Sequence, residues 1–302
     1  MDPSPDDPGF VYDEMSLFHE NCEEYGIPLP DPVPVERVSL REDGSISALR
    51  WGRETPVAVF LHGGAQNAHT WDTVLLAMGC PPAVCVDLPG HGHSAHRDDG
   101  RYDPRTNAAA VVAALETVIH DAVLLVGMSL GGLTANAIAA SRPDLVRRMV
   151  VIDVTPGVDR DKARDIHDFI AGPQTFASFQ EIFDRTVQFN PTRSASSLRR
   201  GILHNAHRLD DGSWAWNYDR QRIAEDMPSM AELWADIAAV QCPYVLAKGT
   251  TSPVVGPEDV EELLRLRPDA LVVPFEGAGH SIQGDMPLEL ADLLSAQLAE
   301  PI

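Results

Sequence analysis

The sequence of 302 residues lacks several features that would mark a particular class of protein. No apolar run approaches the roughly 20 residues that span a bilayer, so we expect no membrane helix. The start, MDPSPDDPGF, has neither the basic residues nor the apolar core of a signal peptide, which favours a cytoplasmic location. The cysteines lack the paired spacing of a metal or redox site and are expected to be free thiols: Cys22, Cys80, Cys85 and Cys242.

Basic residues are also scarce, since 23 Lys and Arg face 45 Asp and Glu, for a net charge of −22. An acidic surface repels phosphate backbones and anionic lipids, so we expect neither nucleic acid nor membrane as a partner. Residues 1–34 contain nine Asp or Glu, seven Pro and no Lys or Arg, which predicts a partly flexible acidic arm. Within it, Met15, Phe18, Cys22 and Tyr25 fall at helical spacing and predict a short helix packed on the body.

From residue 35 onward, short apolar strands alternate with helical segments. VERVSL and SISALRW predict two strands around a turn at residues 42–44. Further strands are predicted at 57–61, 83–88, 122–127, 148–153, 244–248 and 270–275, and helices at 105–119, 130–141, 257–267 and 287–299. Apolar strands that alternate with helices indicate an α/β fold, with a mostly parallel sheet covered by helices on both faces.

The alternation stops between residues 155 and 240. This segment holds nine of the 19 aromatic residues (9 Phe, 5 Trp and 5 Tyr in the whole chain), with Phe176, Phe179 and Phe183 at helical spacing. We predict that 155–240 is a helical cap inserted over the carboxyl edge of the sheet. Most of its aromatics should form the core of the cap, and one or two should line a substrate pocket. The core domain then comprises residues 35–154 and 241–302.

A serine flanked by glycines follows the predicted strand 122–127. The run Gly127-Met128-Ser129-Leu130-Gly131-Gly132 leads from this strand into a predicted helix. A sharp strand-to-helix turn strains the serine, and bulky neighbours would collide with adjacent backbone. The turn lifts the Ser129 hydroxyl above the sheet and places the positive end of the next helix beneath it. Ser129 is therefore the predicted nucleophile.

The loop His62-Gly63-Gly64 follows strand 57–61, where a backbone N–H can meet a tetrahedral oxyanion. We predict that the N–H groups of Gly64 and Leu130 form the oxyanion hole, and that His62 braces its loop.

His280, in GAGHSIQGD, follows the strand 270–275 and is the only histidine after His207. A general base for Ser129 must lie at this edge of the sheet, so His280 is the predicted base, with loop bracing as the alternative.

His91, His93 and His96 form an HxHxxH array that is similar to a metal site. Metal hydrolases with this pattern carry an aspartate before the third histidine, where this chain has Ala95. The array also lies in a turn after a strand, where successive histidines need not converge. We therefore expect no metal there, and a rigid loop that braces the serine turn.

Four segments in this order resemble the α/β-hydrolase superfamily: HGG, DLPGHGHS, GMSLGG and GAGHS. The resemblance covers about residue 35 to the C-terminus. It implies an eight-stranded sheet, a cap inserted after strand six and a Ser–acid–His triad without a metal or organic cofactor. In most such enzymes the acid follows strand seven, in a G-x-x-D-x-x-V setting. Here Gly249–Val255 reads GTTSPVV, with Ser252 where Asp is usual.

Some members, including haloalkane dehalogenases and pancreatic lipases, place the acid after strand six instead. Strand six of this chain ends in Asp153, and in the family's strand order it lies beside strand five, about 5 Å from the strand that carries Ser129. We therefore predict that Asp153 is the triad acid. Glu258 and Asp259 are alternatives, although the positive end of a helix explains acids in its first turn. A site without an acid is the third possibility.

A serine at this turn excludes the aspartyl-ester mechanism and predicts acyl transfer to water. The first hypothesis is hydrolysis of a small carboxylic ester, thioester or lactone bound under the cap. The second is a C–C bond hydrolase of dienoic ring-cleavage products. Such enzymes usually have a polar residue at the position of Met128, and they need cationic anchors such as Arg193, Arg199 or Arg200. The third is a non-catalytic ligand receptor, which the absence of an acid at Ser252 leaves open. The sequence does not indicate an oligomeric state.

Overall fold

The computed structural model describes residues 4–7, 9–158, 161–220 and 228–300. Its strands are β1 (Val35–Ser39), β2 (Ser47–Trp51), β3 (Ala58–Leu61), β4 (Ala83–Val86), β5 (Val123–Met128), β6 (Val146–Ile152), β7 (Thr175–Phe176), β8 (Ala206–Arg208), β9 (Trp214–Trp216), β10 (Tyr244–Gly249) and β11 (Leu271–Phe275). Eight of them form one sheet in the order β1-β2-β4-β3-β5-β6-β10-β11. All neighbours in this sheet run parallel except at β2, which is antiparallel to both β1 and β4. The predicted mostly parallel, eight-stranded sheet is confirmed.

The described part of the chain contains eleven α-helices, and most of them cover the two faces of this sheet. They are α1 (Phe18–Tyr25), α2 (Asp72–Ala77), α3 (Pro104–Leu115), α4 (Leu130–Ser141), α5 (Arg164–Ile170), α6 (Phe179–Phe189), α7 (Ala195–Asn205), α8 (Met230–Ala239), α9 (Pro257–Leu266), α10 (Ile282–Asp285) and α11 (Pro287–Ala299). One apolar cluster lies between the sheet and α3, α4, α8 and α9, and a second lies between the sheet and α1, α2 and α11. Strands β3, β4 and β5 are therefore wholly buried, as their continuous apolar sequences predict.

The boundaries of some elements differ from the prediction. Helix α3 ends at Leu115 rather than 119, because residues 116–118 turn away from the helix. Helices α2 and α10 were not predicted, since six and four residues are too few to show a helical period. All four cysteines are free thiols. No helix in the described part of the chain is both long and apolar enough to cross a membrane.

The segment 155–240 contains a small sheet as well as helices. Strands β7, β9 and β8 form this sheet, and α5, α6 and α7 surround it. A separate apolar cluster, which includes Phe176, Phe179 and Trp214, forms its interior. The predicted helical cap did not include this small sheet, because strands of two or three residues are too short to show alternation. Helix α8 packs on α4 of the core, so the last part of this segment adjoins the core helices.

The acidic N-terminal arm packs against both parts of the molecule. Helix α1 confirms the helix expected near Asp13–Tyr25, and Phe18 and Cys22 are buried in the second core cluster. Further upstream, the Asp6 carboxylate accepts hydrogen bonds from the N–H of Phe179 at 2.7 Å and from the indole N–H of Trp214 at 3.0 Å. The described part of the arm therefore connects the core to the segment 155–240, where we expected a partly flexible chain.

Candidate active site

Ser129 occupies a sharp turn between β5 and α4. Its backbone has φ 52° and ψ −119°, a conformation that side-chain-bearing residues adopt only under strain. A Cβ on Gly127 would lie 2.3 Å from the carbonyl oxygen of Gly131, and a Cβ on Gly131 would lie 2.2 Å from that of Leu61. The turn thus requires both glycines for close packing, as the sequence pattern predicts. It exposes Ser129 to a cavity that His280 also lines.

Asp153 and His280 lie side by side at the carboxyl edge of the sheet. Asp153 directly follows β6, has a positive φ of 47° and is fully buried. Its backbone N–H donates to Ala247 of β10 at 2.8 Å, which fixes the residue between the two strands. The Nδ1 of His280 lies 2.9 Å from the Asp153 Oδ2. Because an ionised carboxylate only accepts hydrogen bonds, this contact places the imidazole proton on Nδ1.

Two further groups bind the Asp153 carboxylate. The N–H of Gly249, at the end of β10, donates to Oδ1 at 3.0 Å. The hydroxyl of Ser252 donates to Oδ2, the oxygen that also accepts from His280. Three donors therefore balance the charge of a buried carboxylate, which would otherwise be costly to desolvate. Ser252, which the sequence pattern presents only as a missing acid, donates a hydrogen bond to the Asp153 carboxylate at the end of the neighbouring strand.

The two alternative acids have other partners. Glu258 and Asp259 lie in the first turn of α9, where both carboxylates contact the ammonium of Lys162, at 2.6 and 2.7 Å. The Asp259 carboxylate also accepts from the N–H of Gly256 at 2.7 Å and so caps the helix. Among the described residues, Asp153 is the carboxylate that forms a hydrogen bond with His280.

The second ring nitrogen of His280 is available for chemistry. Nε2 is buried and has no hydrogen-bond partner among the described residues, and the whole side chain is 17% exposed. With the proton on Nδ1, Nε2 carries the lone pair that a general base needs. The Ser129 hydroxyl does not yet donate to it, as is common in free enzymes, where such bonds tighten when substrate binds.

The backbone beside Ser129 offers two unused N–H donors. Gly64 lines the cavity, and Leu130 is the first residue of α4. Neither N–H donates a hydrogen bond to any residue that the structure describes. The two predicted oxyanion donors thus have no hydrogen-bond partner among the described residues, which is what binding of a developing negative charge requires.

His62 and His91 brace the two loops next to the serine turn. The Nδ1–H of each ring donates to a carbonyl of its own loop. The Nε2 of His62 accepts from the N–H of Leu88 at 2.9 Å, and that of His91 accepts from the N–H of Ala65 at 3.1 Å. Burial lowers the pKa of His62 to about 4 and that of His91 to about 3, so both rings are neutral at pH 7. Their predicted bracing role agrees with these contacts.

The three histidines of the HxHxxH array do not converge. Both nitrogens of His91 bind backbone atoms, whereas the exposed His93 lies 3.5 Å from the Glu14 carboxylate. The Nε2 of His96 lies 3.3 Å from the carbonyl oxygen of Asn217. A single ion could not bind all three side chains in this arrangement.

One group with metal-binding side chains lies elsewhere, namely His69, Asp72 and His204, all buried. The two imidazoles are stacked, with ring centroids 3.7 Å apart and planes 8° from parallel. A nitrogen lone pair lies in the plane of its ring, so stacked parallel rings cannot both direct one at a shared ion. His69 instead contacts the carboxylates of Asp72 at 2.8 Å and Glu14 at 3.0 Å. Although burial alone would lower the pKa of His69, these carboxylates raise it to about 9.

The cavity in front of Ser129 has a volume of about 430 Å³. Aromatic side chains of the segment 155–240 line part of it, namely Phe169, Phe189 and Trp216. The predicted stripe of Phe176, Phe179 and Phe183 does not line it and belongs to the interior cluster of that segment or its edge. Asn21 and Tyr25 of α1 also line the cavity. Helical spacing indicated that α1 packs on the body, but no sequence signal linked it to the site.

Comparison with known proteins identifies the family of this chain. The sequence pattern of a family described as "Alpha/beta hydrolase family" matches residues 58–293. The chain is 44% identical over 295 residues to the esterase Rv0045c of Mycobacterium tuberculosis, covering 95% of this chain and 96% of that protein. A solved structure of that esterase matches with a TM-score of 0.87 and 43% identity, over 96% of this chain and 100% of the other. The sn-1-specific diacylglycerol lipase ABHD11 of Mus musculus is 27% identical over 288 residues, covering 88% of this chain and 92% of that lipase.

Proposed function

This chain belongs to the alpha/beta hydrolase family, and we propose that it is a serine esterase that hydrolyses small-molecule esters through an acyl-enzyme on Ser129. Carboxylic esters, thioesters and lactones share the carbonyl chemistry that such a site performs. The similarity to an esterase over most of the chain supports the reaction class. The observation that carries the proposed mechanism is the Asp153–His280 hydrogen bond beside a cavity that exposes Ser129.

In the first half of the reaction, the Ser129 oxygen attacks the carbonyl carbon while Nε2 of His280 takes the hydroxyl proton. The imidazolium that forms is stabilised by Asp153, which holds Nδ1–H at 2.9 Å. The carbonyl oxygen becomes an oxyanion and binds the N–H groups of Gly64 and Leu130. When the tetrahedral intermediate collapses, Nε2–H protonates the departing alcohol or thiol and an ester to Ser129 remains.

In the second half, water replaces the alcohol. Nε2 of His280 removes a proton from the water as its oxygen attacks the acyl carbon. The same two N–H groups hold the second oxyanion, and the protonated His280 returns its proton to the Ser129 oxygen as the acid leaves. Each proton taken by His280 is thus returned, and the reaction needs no cofactor.

The substrate is a small molecule bound between the core and the segment 155–240, which acts as a cap. The cavity volume of about 430 Å³ lies in the range of ordinary small-molecule sites, and aromatic side chains supply apolar contact. The expected cytoplasmic location stays a prediction, to be tested by cell fractionation.

The receptor alternative has lost its main support. It depended on the absence of a carboxylate at Ser252, but the Ser252 hydroxyl binds the Asp153 carboxylate, which contacts His280. A non-catalytic receptor does not require a carboxylate bound to this histidine.

The test is a burst experiment with 4-nitrophenyl butyrate on the wild-type protein and Ser129→Ala. We expect a burst near one equivalent, steady turnover afterwards and an acyl adduct on Ser129 by mass spectrometry. The Ser129→Ala protein should show neither burst nor adduct. Turnover of a dienone acid without any ester hydrolysis would favour the C–C hydrolase instead. Apolar ligand binding without acylation would favour a receptor.

A further inference from the structure

Arg193 places a positive charge in the wall of the catalytic cavity, and no described carboxylate forms an ion pair with it. The residue lies between α6 and α7 and lines the same cavity as Ser129 and His280. Its Nη2 donates to the hydroxyl of Ser197 at 2.6 Å, while its buried Nε has no hydrogen-bond partner among the described residues. No carboxylate of a described residue lies within 4.0 Å of this guanidinium.

The neighbouring arginines of α7 differ from Arg193 in this respect. Arg199 contacts Glu20 of α1 at 3.0 Å, and Arg200 contacts Glu24 at 2.6 Å. Helix α1 therefore supplies an acid for each of these two cations but none for Arg193. Burial lowers the pKa of Arg193, as expected for a cation that lacks a close counter-ion.

Asp285 and Glu24 are the carboxylates that favour the charge of Arg193, and both accept hydrogen bonds from other groups. Asp285 accepts from the N–H of Gly279 at 2.8 Å. Glu24 accepts from both Arg200 and the hydroxyl of Ser194. Burial is the main cause of the lowered pKa of Arg193, and the charge of Arg200 lowers it further. An anion that entered the cavity would thus meet a guanidinium that has no close carboxylate partner among the described residues.

Gly284 has no side chain, and the Arg193 guanidinium occupies the space where one would lie. A Cβ at Gly284 would lie 2.8 Å from the central carbon of the Arg193 guanidinium and would displace it. Gly284 does not have a positive φ, so its backbone conformation does not require glycine. It belongs to α10, four residues after His280, and so the guanidinium rests on the same short segment that carries the general base.

We propose that Arg193 binds a carboxylate of the substrate, so that the enzyme prefers esters whose acyl or alcohol part ends in an acid group. This inference rests on the proposed ester hydrolysis and names its substrate class. The planar guanidinium matches a carboxylate with two parallel N–H donors, and a bound anion neutralises a cation that has no carboxylate partner among the described residues. Arg193 of the cap then binds the acid group at one end of the substrate, while Ser129 and His280 act on the ester group.

The experiment compares an acidic ester with its neutral counterpart. On the acyl side, 4-nitrophenyl hydrogen adipate is paired with methyl 4-nitrophenyl adipate. On the alcohol side, 4-carboxyphenyl butyrate is paired with phenyl butyrate. We expect the wild-type protein to favour the acid in at least one pair by roughly 10- to 100-fold in kcat/KM, the size of a charge-assisted hydrogen bond. In Arg193→Met this ratio should fall to about one, chiefly through KM, and Arg193→Lys should keep part of it.

Two controls separate the subsite from folding and from catalysis. Arg199→Met removes the same charge from the adjoining helix α7, outside the cavity, and should leave the ratio unchanged. Calorimetric titration of Ser129→Ala with adipate should detect binding that the added Arg193→Met substitution abolishes, which tests the subsite even if no ester is turned over. Equal rates on acid and neutral esters in both pairs would overturn the proposal, while hydrolysis of the neutral esters would still support the esterase. An acid preference that survives in Arg193→Met would overturn it as well.

Discussion

Ser252 donates a hydrogen bond to Asp153, and it does so from the position where related enzymes usually carry the acid itself. The same oxygen of Asp153 accepts from His280 at 2.9 Å. We propose that the acid lies on the adjacent strand, where the hydroxyl of Ser252 binds it. A hydroxyl, a backbone N–H and an imidazole thus all contact this one carboxylate.

The acid assignment can be tested by moving the carboxylate. We expect Asp153→Asn to lower kcat by roughly 10²–10⁴ with little change in KM, because the amide no longer stabilises the imidazolium. The double variant Asp153→Asn/Ser252→Asp should regain at least about tenfold of this loss, since a carboxylate at 252 adjoins the same imidazole. The kcat and KM of both variants are measured by steady-state kinetics with 4-nitrophenyl butyrate. Glu258→Gln, which removes an exposed acid of α9, is the control and should stay within about threefold of the wild type. Full activity in Asp153→Asn would rule out this residue as the acid.

The hydroxyl of Ser252 should itself affect the rate. We expect Ser252→Ala to lower kcat by about tenfold, because a hydrogen bond to an ionised group contributes roughly 1.5–3 kcal/mol. Ser252→Thr keeps the hydroxyl and should retain most of the activity. Circular dichroism and denaturant unfolding of both variants show whether the fold is intact. Equal activity in Ser252→Ala and the wild type would mean that the contact with Asp153 has no catalytic effect.

Two Gly→Ala changes should act in opposite directions on stability. In Gly131→Ala, the new methyl would lie 2.2 Å from the carbonyl oxygen of Leu61, so the serine turn cannot form without backbone movement. We expect a loss of roughly 3 kcal/mol or more in the free energy of unfolding, or an insoluble protein. In Gly201→Ala, nothing lies within 4 Å of the new methyl in the middle of α7. That variant should gain about 0.5–1 kcal/mol by urea unfolding. A stable Gly131→Ala would contradict the packing described for the turn.

Stability should be highest near pH 6.5. The pKa of His62 is lowered by burial to about 4, so the unfolded chain takes up a proton first and stability falls as the pH drops from about 6.5 to about 4. The pKa of His69 is raised to about 9, so its contribution is complete below about 6.5 and is lost as the pH rises towards 9. Guanidinium unfolding at pH 5.0, 6.5, 8.0 and 9.5 would show the two slopes.

Substitution of His69 isolates the alkaline slope. His69→Gln should lower the free energy of unfolding most at pH 6.5 and least at pH 9.5, where the wild type has lost the same charge. His120→Gln, which changes an exposed histidine, should change the free energy of unfolding by the same amount at every pH, or not at all. A constant difference between His69→Gln and the wild type at every pH would contradict a raised pKa at His69.

The acidic arm should contribute to stability through α1. Glu24 contacts Arg200 at 2.6 Å, and the Arg200 side chain is only 5% exposed. Glu24→Gln would leave that cation without its nearest counter-ion, so we expect a loss of roughly 1–3 kcal/mol in the free energy of unfolding. The neighbouring Glu23→Gln changes an exposed acid and should cost less than about 0.5 kcal/mol. Equal effects of the two variants would mean that the ion pair adds nothing.

Sequence patterns predicted the parts of the molecule that depend on neighbouring residues. The period of apolar residues indicated the strands β3 to β6 and the helices between them, because burial on one or both faces repeats along the chain. The small sheet β7–β9 escaped prediction because its strands are two or three residues long. The arm was expected to be partly flexible, since composition does not show that Asp6 binds Trp214 some 208 residues away.

By itself, the sequence determined the turn that carries Ser129 and the loop that carries His280, because glycine spacing and strand ends are local properties. Only the tertiary structure decided how these residues meet others. Asp153 and His280 are 127 residues apart, and Ser252 is 99 residues from Asp153. Whether such groups touch depends on the register of β6 against β10 and on the path of the following loops. The same holds for Tyr25 and Arg193, which reach the cavity from the arm and the cap. Local patterns fix a conformation, but convergence over such distances follows from packing of the whole chain.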